Sequence, residues 1–257
     1  MPRISRHAIV EKGARLADDV QVEAFACIGP EVSAGPGCLI GAGATLTGRT
    51  TLGAKCRVFP LAIVGAAPPD APPGQAGQCL LGEANAVREH VTICAGAGAP
   101  TRIGNDNLIM IGCLVGPGAV IGDHGIFANY THIDASSVVE DYVRTSAFTS
   151  VLPGSRVGAY SMLAGYTSVE GAAPPFAMLQ GDPFRVRGVN TENLRRCGFG
   201  DDDIRALKDA FRQLFNGSTG RPDEKLVRKF LARKDLNVHV RRLLESTYTP
   251  PPQGAAP

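Results

Sequence analysis

Apolar residues return along this chain every six positions. From Ile103 the row runs Ile103, Ile109, Val115, Ile121, Phe127, Ile133, Val139. Two residues before most of them stands a small or short side chain: Cys113, Ala119, Gly125, Thr131, Ser137. A period of six is neither the 3.6 of a helix nor simple strand alternation. It predicts a hexapeptide β-helix, in which each repeat supplies one flat face of a prism and one tight corner. The aliphatic row fills the dry interior and the small residues suit the corners.

The same frame is present from the start. Val10, Leu16, Val22, Ile28, Ala34, Ile40, Leu46, Leu52, Val58 and Val64 hold it for ten repeats. It then breaks over 66–80, a Pro- and Gly-rich stretch that predicts a projecting loop. Leu81, Val87 and Ile93 resume it before a second loop over 94–102. Loops thrown out from a rigid scaffold are common places for binding residues. After Ile103 the frame runs without a gap to Val169 and stops near 175. The predicted organisation is a β-helix over 1–175, a helical domain over 176–248 and a disordered tail over 249–257.

The helical part is read from period and caps. One of Asp201, Asp202 or Asp203 is expected to cap a helix with inner face Ile204, Leu207, Phe211, Leu214 and Phe215, ending at Asn216-Gly217. A second helix is expected after Pro222, with Leu226, Val227, Phe230 and Leu231 inward. A third carries Leu236, Val238, Val240, Leu243 and Leu244. Residues 191–247 hold 13 Lys and Arg against 9 Asp and Glu, a modestly basic appendage that suits an acidic partner or a phosphate.

Composition narrows the classes. A net charge of +2 with 19% charged residues argues against disorder and against wholesale nucleic-acid binding. Seven cysteines with no CxxC pair read as reduced thiols of a cytoplasmic protein. No secretory signal and no run of ~20 apolar residues is visible, so no membrane span is expected. The histidines are too scattered for a metal site, and no cofactor is expected.

Four segments carry a family resemblance: VREHVTI at Val87–Ile93, IGNDNLIMI at Ile103–Ile111, IFANYT at Ile126–Thr131, and LQGDPFRVRGVNTENLRRCGF at Leu179–Phe199. With the repeats, loops and helical tail, the chain resembles the UDP-N-acetylglucosamine acyltransferases of lipid A biosynthesis over roughly residues 6–245. The resemblance implies a left-handed parallel β-helix, a homotrimer, and active sites in clefts between neighbouring subunits. It implies transfer of a 3-hydroxyacyl group from acyl carrier protein to the 3-hydroxyl of a UDP-amino sugar.

That reaction needs a base to take the hydroxyl's proton. The family's base histidine falls here on Pro117 and its neighbouring carboxylate on Gly118. Further family histidines fall on Leu114, Ser136 and Leu152, and a loop lysine on Pro72. Other positions are retained by resemblance. Asp70 matches a sugar contact, and Ala135 matches a backbone oxyanion donor. Gly165 matches a limit on acyl length, while Asn190, Glu192 and Arg196 match nucleotide contacts. His90, beside the loops, and Ser136 are candidates to line the cleft. Stacking of n on n+18 puts His132 above Leu114, which nominates His132 as a relocated base with Asp134 as its orienter. The competing expectation is a non-catalytic relative that binds nucleotide sugar or acyl carrier protein, or assembles with an active enzyme.

Overall fold

In the computed structural model the six-residue period becomes a parallel β-helix with three flat faces. The structure describes residues 1–68, 71–72, 77–215, 222, 224–233 and 235–248. The expected tail over 249–257 lies outside them, as does the expected helix end at Asn216-Gly217. Among the described residues three sheets of 11, 9 and 9 strands form the faces, and every strand but the last pairs with the strand three places along the chain. Most strands are two residues long, one facing in and one facing out. Leu114 pairs with His132 and His132 with Ser150, so the 18-residue coil holds through this region.

The interior row is the one read from the sequence. Ile103, Ile109, Val115, Ile121, Phe127, Ile133 and Val139 are all buried. Each contributes about 1.5–3 kcal/mol by leaving water. Phe127, the one aromatic in that row, fits because Gly125 lies beside it: a Cβ at Gly125 would sit 2.6 Å from the Phe127 ring. The first coil is open at its lower end, where Ile4 and Ile9 are exposed and Val10 is half-buried.

The corners hold a feature the period does not predict. Most corners place one residue in the left-handed region, and many of these are aromatic or histidine rather than glycine. Tyr130, Phe148 and Tyr166 have φ of 58°, 57° and 59°, and His124, Tyr142, Tyr160 and Phe176 lie between 57° and 65°. Such a conformation costs roughly 1–2 kcal/mol per residue. Stacking from coil to coil offsets it, with ring centroids 5.3 and 5.4 Å apart along Tyr130–Phe148–Tyr166 and 4.6 and 4.8 Å along His124–Tyr142–Tyr160. Stacked pairs contribute about 0.5–1.5 kcal/mol each.

Both loops are shorter than the sequence suggests, because strands resume at Gln78–Leu81 and Thr101–Ile103. The first sheet continues through Ala177–Gln180, parallel to Met162–Leu163, and closes with an antiparallel strand, Arg185–Val189. Among the described residues four helices follow: α1 (Thr191–Arg196), α2 (Asp201–Leu214), α3 (Glu224–Leu231) and α4 (Val238–Tyr248). The inner faces agree with the period at Ile204, Leu207, Phe211, Leu214, Val227, Phe230, Val240, Leu243 and Leu244. Val238, expected inward, is 68% exposed because α4 begins there. No aspartate caps α2. Gly200 is the N-cap residue, and Asp201 to Asp203 occupy the first turn, where the helix dipole favours negative charge.

The helical part is fastened by polar contacts as well as by packing. Glu140 accepts hydrogen bonds from the Arg156 guanidinium, from the Ala159 N–H at 3.0 Å and from Arg242 of α4 at 3.4 Å. Asn193 of α1 accepts from Arg144 at 2.8 Å and donates to the Tyr142 carbonyl at 2.9 Å. No helix among the described residues is long and apolar enough to cross a membrane.

Candidate active site

Where the second sheet turns into the third, two successive coils and both loops enclose a cleft of about 340 Å³. Pro117, Gly118, Ala135 and Ser136 form one wall, and Pro68, Ala71, Pro72 and the segment 96–99 form the other. The second loop is held tight. Thr101, fully buried, donates its hydroxyl to the Cys94 carbonyl at 2.7 Å and accepts the Gly118 N–H at 2.9 Å. Gly96 has to be glycine, since a Cβ there would lie 1.9 Å from the Ala99 carbonyl.

Backbone donors are distributed unevenly among the corners. Where the third sheet turns into the first, the outward N–H of the leading corner residue is taken by a side chain of the next coil. The Glu83 N–H donates to Asn105 Oδ1 at 2.8 Å, Asn105 to Asp123 Oδ1 at 2.6 Å and Asp123 to Asp141 Oδ1 at 2.9 Å. At the cleft corner the equivalent residues are Pro117, Ala135 and Pro153, and proline has no N–H. Ala135 therefore supplies the single N–H of that column, and no described group accepts it.

Among the eleven described residues that line the cleft none carries an ionisable side chain, and Ser136 offers their one side-chain hydroxyl. Cys94, at the base of the second loop, is no nucleophile there, because burial pushes its thiol up. Cys79 and Cys113 are raised by burial in the same way, to about 12 and about 11. Cys38 and Cys56 are fully buried in the coils that precede the first loop, and their thiols donate to the Gly53 and Gly82 carbonyls at 3.1 and 3.0 Å.

The expected site residues fall in three places. Ala135 and Ser136 meet in the cleft with Pro117, Gly118 and Pro72. His132 lies on the outer face of the second sheet, exposed, and does not line the cleft. Neither its imidazole nor the Asp134 carboxylate makes a hydrogen bond or ion pair with another described residue, so the two are not coupled. His90 and Gly165 both sit at the corner between the first and second sheets, one face away from the cleft. A Cβ on Gly165 would make ordinary contact with Ala147 O at 3.6 Å.

Asn190, Glu192 and Arg196 belong to α1. Asn190 is 4% exposed; it caps α1 through the Asn193 N–H and donates to the Tyr160 carbonyl at 2.9 Å. Glu192 and Arg196 are exposed and paired at 2.9 Å. Asp70 lies outside the described residues. No group of three or more His, Cys, Asp or Glu among the described residues is arranged to hold a metal ion. The free N–H of Ala135 escapes a search for side-chain motifs; its signal is the Pro-x₁₇-Ala-x₁₇-Pro spacing of one corner column.

Known proteins share both the sequence and the fold. The family profile described as Udp N-acetylglucosamine O-acyltransferase, Domain 2, matches residues 173–248. An acyl-[acyl-carrier-protein]–UDP-N-acetylglucosamine O-acyltransferase from Stenotrophomonas maltophilia (strain K279a) is 36% identical over 219 residues, 83% of each chain. The enzyme of that name from Stutzerimonas stutzeri (strain A1501) is 34% identical, over 84% of this chain and 85% of its own. Among solved structures, LpxA from Acinetobacter baumannii superposes with a TM-score of 0.88 at 26% identity, over 95% of this chain and 96% of its own. The UDP-N-acetylglucosamine acyltransferase from Campylobacter jejuni gives 0.87 at 28%, over 95% of each. With a relative more than 30% identical along most of its length, the chain belongs to the UDP-N-acetylglucosamine O-acyltransferase family.

Proposed function

We propose that this protein transfers a 3-hydroxyacyl group from acyl carrier protein to a UDP-amino sugar, a step of lipid A-type biosynthesis, as a homotrimer in the cytoplasm. Family membership supports the reaction class. The observation that carries the reading is the free Ala135 N–H in a cleft walled by the two loops. A backbone donor of this kind stabilises the charge that develops on a thioester carbonyl when a nucleophile adds to it. Its strength does not depend on side-chain identity, which is why alanine serves where relatives are expected to carry glycine.

The substrate contacts proposed are Asp70, His90, Ser136, Gly165, Glu192 and Arg196, with Asn190 positioning α1. Since His90 and Gly165 stand one face away from Ala135, a complete site joins the cleft of one subunit to that corner of a neighbour. His132 is the nominated base, with Asp134 beside it.

The test is direct. Purified protein, 3-hydroxyacyl carrier proteins of several chain lengths and a panel of UDP-amino sugars should yield an acylated nucleotide sugar detectable by mass spectrometry. Binding of nucleotide sugar or carrier protein with no product from any acceptor would establish the non-catalytic reading instead.

A further inference from the structure

A second hollow, of about 380 Å³, lies between the closing strand Arg185–Val189 and α2. Among the described residues it shares no lining with the cleft at Ala135, and none of the α1 contacts borders it. One wall is helical. Lys208 and Arg212 are four residues apart and so lie on one face of α2, with Phe211 between them and Phe215 at the helix end. Val186, Arg187 and Val189 of the strand form the other wall.

Three cations therefore surround one hollow with an apolar floor, and one nearby carboxylate answers them. Asp209 pairs with Arg212 Nη1 at 3.1 Å. Lys208 makes no ion pair or hydrogen bond with another described residue. Arg187 is held by its Nε, which donates to Gln180 Oε1 at 3.0 Å, so both terminal nitrogens of its fork are left for another acceptor. The other exposed arginines of α1 and α2 have acidic partners: Arg195 with Asp201 at 3.8 Å, Arg196 with Glu192 at 2.9 Å and Arg205 with Asp202 at 3.2 Å. Like charges four apart on a helix repel one another. An anion placed among them turns that repulsion into attraction.

We infer that this hollow binds a small phosphate-bearing ligand with an aromatic body, of the chemical class of a nucleoside diphosphate. The phosphates lie among Arg187, Lys208 and Arg212, where the free fork of Arg187 takes two oxygens at once and Lys208 acts as a point charge. The body lies over Phe211, Phe215, Val186 and Val189. Size favours a small molecule over a protein partner. The hollow falls within the roughly 300–1,000 Å³ of ligand pockets, whereas a stable protein interface covers about 800 Å² on each partner. The bound ligand ties the strand Arg185–Val189 to α2. The inference stands apart from the transfer reaction and does not depend on it.

The probes are ADP and inorganic pyrophosphate, titrated by calorimetry into the full-length protein and into its Arg187→Gln and Lys208→Glu variants. Both positions are exposed, so neither substitution disturbs the core. ADP is expected to bind the parent and to lose at least about tenfold in affinity in each variant, the effect of one charge-assisted hydrogen bond. Amide exchange should slow over 186–189 and 208–215 when ADP is bound. Pyrophosphate should bind more weakly than ADP, because it lacks the body. No ADP binding, or binding that survives both substitutions, would overturn the inference, the second by placing ADP at another site. Pyrophosphate as tight as ADP would overturn the aromatic ligand. Loss of carrier-protein affinity in Lys208→Glu, with ADP inert, would make the hollow part of a protein-docking surface and overturn the inference as well.

Discussion

Replacing Ala135 by proline is expected to lower acyl transfer by about 10²–10³-fold, the usual effect of deleting one oxyanion donor. The substitution removes the N–H and little else. Pro117 and Pro153 occupy the equivalent position in the coils below and above, so the corner accommodates a proline ring. The Ala135 N–H has no partner to lose among the described residues, whereas the Ala135 carbonyl keeps its bond from the Gly154 N–H at 2.9 Å. Thermal stability should therefore change little while kcat falls. Ala135→Gly, which keeps the N–H, serves as the control and should retain activity within a few-fold. A proline variant as active as the parent would remove Ala135 from the mechanism.

The second large effect concerns the scaffold at the corner where the third sheet turns into the first. Asn107 is 2% exposed and spans three coils. Its amide donates to Asn85 Oδ1 at 3.0 Å, to Asn105 O at 3.1 Å and to Gly122 O at 3.0 Å, and its oxygen accepts the Gly125 N–H at 2.7 Å. Asn107→Ala leaves the buried Gly125 N–H without an acceptor and the Gly122 carbonyl without that donor. An unsatisfied buried group costs about 1–3 kcal/mol. A loss of roughly 2–4 kcal/mol is expected for the pair, which lowers Tm by about 5–15 °C in a chain of this size. Calorimetry on the variant measures it, and an unchanged Tm would mean that water replaces the amide at no cost.

The two effects differ in how far they were legible in the sequence. The fold was read from one row of residues, because an interior that admits aliphatic side chains at fixed height writes its period directly into the chain. Helix faces such as Ile204, Leu207 and Phe211 were equally visible. The hairpin Ala177–Gln180 with Arg185–Val189 was not, since it pairs across a Pro-containing turn and has no repeat to announce it. Aromatic corner columns were also hidden. Tyr130, Phe148 and Tyr166 look like surface residues until coils stack them, and no local rule favours tyrosine at positive φ.

The candidate site was legible in what it lacks. Pro117, Gly118 and Ser136 could be placed by resemblance, and the structure brings them into one cleft. What it adds is the contrast between corners. Carboxylate and amide side chains at Asn105, Asp123 and Asp141 consume the N–H groups of one corner column, while prolines clear another around Ala135. Such accounting needs the coil register, which sequence spacing gives, and the side-chain partners, which it does not.

The central claim is that the cleft activates a thioester carbonyl through the Ala135 N–H. Single-turnover transfer from a 3-hydroxyacyl carrier protein to a UDP-amino sugar, measured for the parent, Ala135→Gly and Ala135→Pro, tests it most directly. The account predicts that the glycine variant keeps pace with the parent within a few-fold while the proline variant falls by about 10²–10³-fold. Equal rates in all three proteins would contradict it.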